Sequence, residues 1–319
     1  MTRRSTPPAD PRKADMHEIP SQRGKLAIIT GANSGTGLEV TKQLAAAGAD
    51  VIMAVRDGDK GEAARQVLLA RQPDARLEVR ILDLADLSSV TLFAGALNND
   101  GRDINILINN AGVMVPPKRF ATVDGFELQM GTNFLGPFAL TLSLLPLLLR
   151  ADDPRVTAVS SFAATYGRIH FDDLQWTHRY RASSAYAQSK LADLLFALRL
   201  AEIAQERNWP LMSNAAHPGY TRTNLMTAGA SLGRSRTRRT WVNRAAYFIS
   251  QGVQQGAEPL LYAATSPNAL SGVYYGPSRV LVGPTAVASP PRSARHRDIG
   301  ERLFDVAETL TGVSLPGAS

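Results

Sequence analysis

The chain has 319 residues, 44% of them hydrophobic, a net charge of +7 and no cysteine. The missing cysteine excludes disulfides, thiolate nucleophiles and thiolate metal sites. The length supplies core for one large α/β domain or two small ones, and the arginine-dominated charge suits an anionic ligand or a solvated basic face. Residues 1–23 carry charges and prolines without an apolar stretch, so they read as a disordered or extended segment and not as a signal peptide.

The first apolar run, KLAIIT (25–30), predicts a strand, and the glycine-rich TGANSGTG (30–37) follows it directly, opening into a helix over 36–48. Strand, glycine turn and helix in that order form a phosphate-binding context. Gly31 lets the chain turn, while Gly35 and Gly37 allow close backbone approach and close helix packing. The helix N-terminus then faces an anion with free N–H groups and its positive dipole end. Asn33, Ser34 and Thr36 stand in the same turn as candidate cofactor contacts.

DVIMAV (50–55) predicts the second strand, and Arg56 is the first residue beyond it. A carboxylate at this point would bind the ribose 2′-OH of NAD, whereas a guanidinium suits the 2′-phosphate of NADP. NADP(H) is therefore the preferred cofactor. Asp57, next in line, keeps NAD(H) as the alternative. A helix over 58–71 leads to the strand ARLEVRIL (75–82), after which Asp83 and Leu84 occupy the position of an adenine contact. A helix over 86–99 precedes the strand INILIN (104–109).

A helix over 124–149 follows. Its stretch FLGPFALTLSLLPLLL (134–149) is shorter than the ~20 residues a membrane span needs and holds Pro137 and Pro146, so it reads as a buried helix. RVTAVS (155–160), PLMSNAA (210–216) and GVYYG (272–276) complete seven predicted strands. Helices are expected over 184–207, 223–250 and 255–266, and a loop-rich stretch (277–298) leads to a last helix over 299–310. This alternation predicts one α/β domain, residues 24–276, with a parallel sheet covered on both faces.

The helix over 184–207 opens with YAQSK. Tyr186 and Lys190 stand at i and i+4, so they share one helix face. A phenol is a poor acid or base at pH 7, its free value being about 10, and a nearby cation favours its ionised form. The five histidines show no metal-ligand spacing. His217, just before a Pro-Gly turn, reads as a packed loop residue.

TGxxxGxG at 30–37, DL at 83–84, NNAG at 109–112, Asn133 in NFLG, VSS at 159–161, YAQSK at 186–190 and HPGYTRT at 217–223 stand in chain order. Together they resemble the short-chain dehydrogenase/reductase family over about residues 24–276. The stretch SSFAATYGRIHFDDLQ, the spacing from Ser161 to Tyr186 and QQGAEPLLYAAT are most similar to its retinol-dehydrogenase-like branch.

The resemblance implies a Rossmann-type doubly wound sheet of seven parallel strands with helices on both faces. It implies Tyr186 as general acid/base, Lys190 as its activator and a ribose contact, and Ser161 as hydrogen-bond donor to the substrate oxygen. Asn133 would hold a water linking Lys190 to solvent. Asn110, Ala111 and Gly112 would pass along the cofactor, and Pro218, Gly219 and Thr223 would border the nicotinamide. Thr36 stands where the family has an apolar residue, a change expected to alter packing more than chemistry.

By the same resemblance, residues 220–252 form a substrate lid. In it, Leu225, Met226, Leu232, Trp241 and Phe248 either line an apolar pocket or serve as plain helix packing. Arg234, Arg236, Arg238, Arg239 and Arg244 read as a solvated face.

The expected activity is NADP(H)-dependent interconversion of a carbonyl and an alcohol on a bulky apolar substrate. An epimerase or dehydratase without net redox change, and a cofactor-sensing protein without catalysis, are the alternatives. Expected partners are that substrate and a second copy in a homodimer, with neither nucleic acid nor membrane, in the cytoplasm.

Overall fold

In the first strand, β1 (Leu26–Thr30), Leu26 and Ile28 join the core on one side of the sheet, while Ala27 and Ile29 join the core on the other. A strand buried on both faces has no polar side to show, which is why it is written as a continuous apolar run. The computed structural model describes residues 18–219 and 252–317. Its other strands are β2 (Asp50–Val55), β3 (Arg76–Ile81), β4 (Ile106–Asn109), β5 (Arg155–Val159), β6 (Met212–Ala216), β7 (Tyr274–Pro277) and β8 (Thr285–Val287).

All eight form one sheet in the order β3-β2-β1-β4-β5-β6-β7-β8. The first seven run parallel, and β8 pairs antiparallel with β7. Seven parallel strands match the expectation, while β8 corrects the loop-rich reading of 277–298. Three residues with only Thr285 buried carry too little apolar pattern to announce a strand. The strand order reverses between β1 and β4. Such a switch point opens a crevice at the carboxyl ends of the strands.

Helices α1 (Gly35–Ala46), α2 (Gly58–Leu69) and α6 (Val253–Thr265) cover one face. On the other lie α3 (Leu87–Asp100), α4 (Leu128–Leu148), α5 (Ala182–Glu206) and α7 (Arg297–Thr311). Phe134, Phe138, Phe196 and Phe304 form one aromatic cluster with ring centroids 4.9–6.3 Å apart, joining α4, α5 and α7. The C-terminal helix is thus part of the main core.

Helix α4 starts on a buried cap. Both carboxylate oxygens of Glu127 accept first-turn N–H groups, from Gln129 at 3.1 Å and Met130 at 2.8 Å. Its most apolar window is 89% buried inside the fold, so its hydrophobicity serves the core. A π-helical turn, Gly131–Leu135, interrupts it at Asn133. Such bulges widen the helix locally and occur often at functional sites. Thr223, the helix expected over 223–250, the lid's apolar residues and its arginines lie outside the described residues, as do residues 1–17.

Candidate active site

Loops at the carboxyl ends of β1, β2, β3 and β4 enclose a cleft of about 300 Å³. It brings together Gly31, Asn33, Ser34, Gly35, Thr36, Arg56, Asp83, Leu84, Asn110, Ala111 and Gly112 of the residues expected from sequence. Gly31 and Gly35 adopt positive φ of 66° and 54°, the left-handed region that favours glycine. Ser34 precedes α1 without a side-chain cap, and no acid lies in the first turn. The positive end of α1 therefore remains open towards the cleft.

Gly37 lies behind the cleft wall. A Cβ there would sit 2.4 Å from Gly31 O and 2.5 Å from Asn110 Nδ2, so this glycine lets α1 lie against the β1 and β4 loops. Thr36 Oγ1 donates to Asn110 Oδ1 at 2.9 Å, and Asn110 Nδ2 donates to Thr30 O at 2.8 Å. The hydroxyl at 36 ties α1 to the loop after β4, more than the packing change expected from sequence.

Beyond β2, Asp57 caps α2 by accepting the Lys60 N–H at 3.1 Å, and its other oxygen pairs with the Lys60 ammonium. The side-chain hydrogen bond from Lys60 is the main cause that holds its carboxyl below the usual range. Arg56 is exposed in the cleft wall and has no ion pair among the described residues.

The other end of the site is built on α5. Tyr186 and Lys190 are both buried, 9% and 4% exposed. Lys190 Nζ donates to Val159 O at 2.8 Å and to Asp193 Oδ2 at 2.7 Å. An ammonium has three hydrogens, so one remains for a further acceptor. Burial outweighs the neighbouring ammonium and pushes the Asp193 carboxyl up to about 7.

Ser160 Oγ donates to Lys190 O at 2.6 Å and is spent inside the fold. Ser161 Oγ accepts the Ala163 N–H at 3.2 Å, which uses a lone pair and leaves its O–H free to donate. That difference favours Ser161 over Ser160 as the group facing a substrate.

Asn133, in the π turn, exchanges two hydrogen bonds with the Val113 backbone (2.7 and 3.0 Å) and donates to Ser189 Oγ at 2.9 Å. Both amide hydrogens are engaged, so the expected water would have to donate to an Asn133 oxygen. Gly112 passes just above: a Cβ there would sit 3.0 Å from Asn133 Oδ1 and 3.7 Å from Lys190 Nζ.

His217 is 3% exposed, accepts the Gly219 N–H at 3.3 Å and packs on the Tyr274 ring at 5.1 Å. Burial pushes it down to about 4, so the ring is neutral and structural. Gly219, at φ 64°, leaves no room for a Cβ, which would sit 2.3 Å from Leu281 O. Pro218 adjoins it.

Sequence reasoning did not single out Asp193, Tyr274, Lys60 or Thr132. Asp193 was legible as the residue three beyond Lys190. Tyr274 donates to Ser161 O at 3.2 Å, and burial holds its phenol well above the usual range. Thr132 Oγ1 is buried in the cleft wall without a hydrogen-bond partner.

The profile of the short chain dehydrogenase family matches residues 25–231. The chain is 38% identical over 303 residues to the polyprenol dehydrogenase of Mus musculus, covering 92% of this chain and 86% of that protein. It is 36% identical over 294 residues to retinol dehydrogenase 11 of Homo sapiens, covering 92% and 87%. The crystal structure of an uncharacterized protein from Mycobacterium Paratuberculosis has a TM-score of 0.77 at 41% identity, covering 95% of this chain and 98% of that one. A short chain dehydrogenase from Shigella flexneri, solved with NADP, shares the fold with a TM-score of 0.61 at 24% identity, covering 81% and 99%.

The chain therefore belongs to the short-chain dehydrogenase family and is an oxidoreductase of a fold that binds nicotinamide cofactors. Within the family it falls in the retinol-dehydrogenase-like branch. The cleft fits such a cofactor on its own evidence. The end of α1 is open to a diphosphate, with neither a side-chain cap nor an acid in its first turn.

Proposed function

We propose that the protein interconverts a carbonyl and an alcohol on a bulky apolar substrate, with NADP(H) as the hydride carrier. The carrying observation is the α5 constellation: phenol and ammonium four residues apart and buried, with the ammonium bonded to Val159 O, two residues before a serine whose O–H is free. Reduction of a carbonyl leaves a developing oxyanion that needs a proton and a second hydrogen bond. Tyr186 supplies the proton and Ser161 the hydrogen bond. The nicotinamide, when bound, supplies or accepts the hydride.

Lys190 holds the nicotinamide ribose with its remaining N–H and biases the phenol electrostatically. The α1 end and Gly31, Asn33, Ser34, Gly35 and Thr36 take the diphosphate. Asp83 and Leu84 would border the adenine, and Asn110, Ala111 and Gly112 would pass along the cofactor. Pro218 and Gly219 would border the nicotinamide amide, the role expected also of Thr223, which lies outside the described residues. Asn133 holds the Val113 segment and Ser189 in place around Lys190.

Arg56 supports NADP(H), because its guanidinium is unpaired while the rival Asp57 is tied to Lys60 as the cap of α2. An apolar substrate is supported by relatives named for polyprenol and retinol, both long apolar alcohols. The reading includes the cytoplasm and a homodimer, to be tested by cell fractionation and sedimentation.

A panel of ketones, aldehydes and alcohols assayed with NADPH and NADP⁺ tests the central claim. Net change at 340 nm with at least one apolar member is the expected result. Conversion of a substrate without that change indicates an epimerase or dehydratase, and no conversion alongside tight cofactor binding indicates a sensor.

A further inference from the structure

Lys190 and Asp193 form a buried ion pair one helical turn apart, with side chains 5% and 6% exposed and 2.7 Å between nitrogen and oxygen. Burying a carboxylate is costly, and the protein gains nothing in core packing from a charge at this position. The carboxylate lies against the ammonium on which the acid/base chemistry depends. Tyr186, Lys190 and Asp193 follow one another at spacings of four and three, so the three side chains share one stripe of α5.

We propose that Asp193 is a positioning residue of the reaction. Its carboxylate anchors the Lys190 ammonium against Val159 O and offsets the field that this ammonium exerts on the Tyr186 phenol. The inference rests on the reading that Tyr186 and Lys190 carry the acid/base step.

With Asp193 ionised, the pair is neutral as a whole and exerts little net field on the phenol. With Asp193 protonated, the ammonium acts on the phenol alone and favours its ionised form. Burial raises the Asp193 carboxyl above the usual carboxylate range, which brings the exchange between the two states closer to neutral pH. Coupling of this kind makes the observed ionisations a property of the group and not of one residue.

The other groups around the pair are accounted for. From α5 come Tyr186 and Lys190. From β7 comes Tyr274, whose phenol is raised mainly by burial and further by Tyr186 and Asp193. Ser160 and Ser161 at the end of β5 are neutral, and His217 after β6 is held neutral by burial. Asn133 on α4 carries no charge. Lys190 is thus the cation beside Asp193 in this cluster.

Asp193→Asn keeps the shape and removes the charge. Along a helix, seven residues span about 10 Å. A unit charge removed at that distance, at an effective dielectric of about 20, corresponds to about one pH unit. The pH profile of alcohol oxidation is expected to move to lower pH by about that amount, and Asp193→Glu is expected to restore the wild-type position. A purely structural role would lower turnover without moving the profile, and an unmoved profile overturns the proposal.

Should the asparagine variant fail to fold, wild-type enzyme labelled with ¹³C at the tyrosine Cζ gives a second reading. The Tyr274 resonance, identified from Tyr274→Phe, is expected to shift as Asp193 titrates above the usual carboxylate range, and a response flat from about pH 4 to about 9 overturns the proposal. Tyr186→Phe separates this inference from the one beneath it. If that variant keeps turnover, the acid/base reading itself fails. If it loses turnover while Asp193→Asn leaves the profile in place, only the role of Asp193 fails.

Discussion

The site uses two cations, and the fold treats them in opposite ways. Arg56 lies exposed at the rim of the cleft with no ion pair among the described residues. Lys190 is 4% exposed, hydrogen-bonded to Val159 O and paired with Asp193. An exposed, unpaired charge is cheap to keep and readily screened, which suits a group that only has to recognise a phosphate. A buried charge is expensive and strongly felt by its neighbours, which suits a group that tunes a proton. Changes at the buried end should therefore alter turnover and pH dependence, whereas changes at the rim should alter only which cofactor binds.

The largest effect is expected from Tyr186→Phe. Loss of a positioned acid/base costs about 10²- to 10⁴-fold. Turnover should fall at least about 100-fold while fluorescence titration shows cofactor binding nearly intact. Retention of more than about a tenth of kcat, a loss under ~1.4 kcal/mol, would remove Tyr186 from the role.

Next comes Lys190→Met. It should weaken nicotinamide-nucleotide binding by about 10-fold, ~1.4 kcal/mol, and move the pH profile of residual activity upward because the phenol loses its cation. An unchanged binding constant with an unchanged profile would show that the buried cation serves neither purpose.

How far each end could be read from sequence follows the same division. The parallel strands β1, β2 and β4, buried on both faces, are written as apolar runs and were visible, and so was the edge strand β3, of which only Leu77 is buried. β8 was not, because Thr285–Val287 is short and lies at the sheet edge, where pairing and not burial defines it. The glycine turn and the Tyr186/Lys190 spacing are local patterns and were legible. Asp193 is just as local, yet a charged residue on a long helix ordinarily faces solvent, and its burial depends on how α5 packs beneath β5.

Tyr274 and Tyr275 are adjacent and point to opposite faces of the sheet. Only the pairing of Ala215 with Tyr274 tells which one enters the site. Thr36 reaches Asn110 across 74 positions, a contact that no local pattern carries.

At the rim, wild type should bind NADPH more tightly than NADH by about 1.5–3 kcal/mol, the scale of a charge-assisted hydrogen bond and about 10- to 150-fold in affinity. Arg56→Asp should erase or reverse that preference, since a carboxylate repels the 2′-phosphate and accepts from the 2′-OH. Its turnover with saturating NADH should stay near wild type. Tighter NADH binding by the wild-type protein would mean that Asp57 leaves Lys60 and faces the ribose.

The smallest expected effect separates the two cations without any mutation. Raising ionic strength from about 0.1 M to about 1 M shortens the screening length from about 10 Å to about 3 Å. A guanidinium exposed at the rim loses much of its attraction for a phosphate under those conditions, while a buried ion pair is screened far less. NADPH affinity should therefore fall by a few-fold more than NADH affinity, and the preference should narrow. The midpoint of the pH profile should hardly move, because the Lys190–Asp193 pair is out of contact with the added salt. Titrating both reduced cofactors and recording the profile at the two salt concentrations gives both readings on one sample. Equal salt dependence for the two cofactors would show that Arg56 does not meet the 2′-phosphate. A profile that shifts with salt would show that solvent reaches the buried pair.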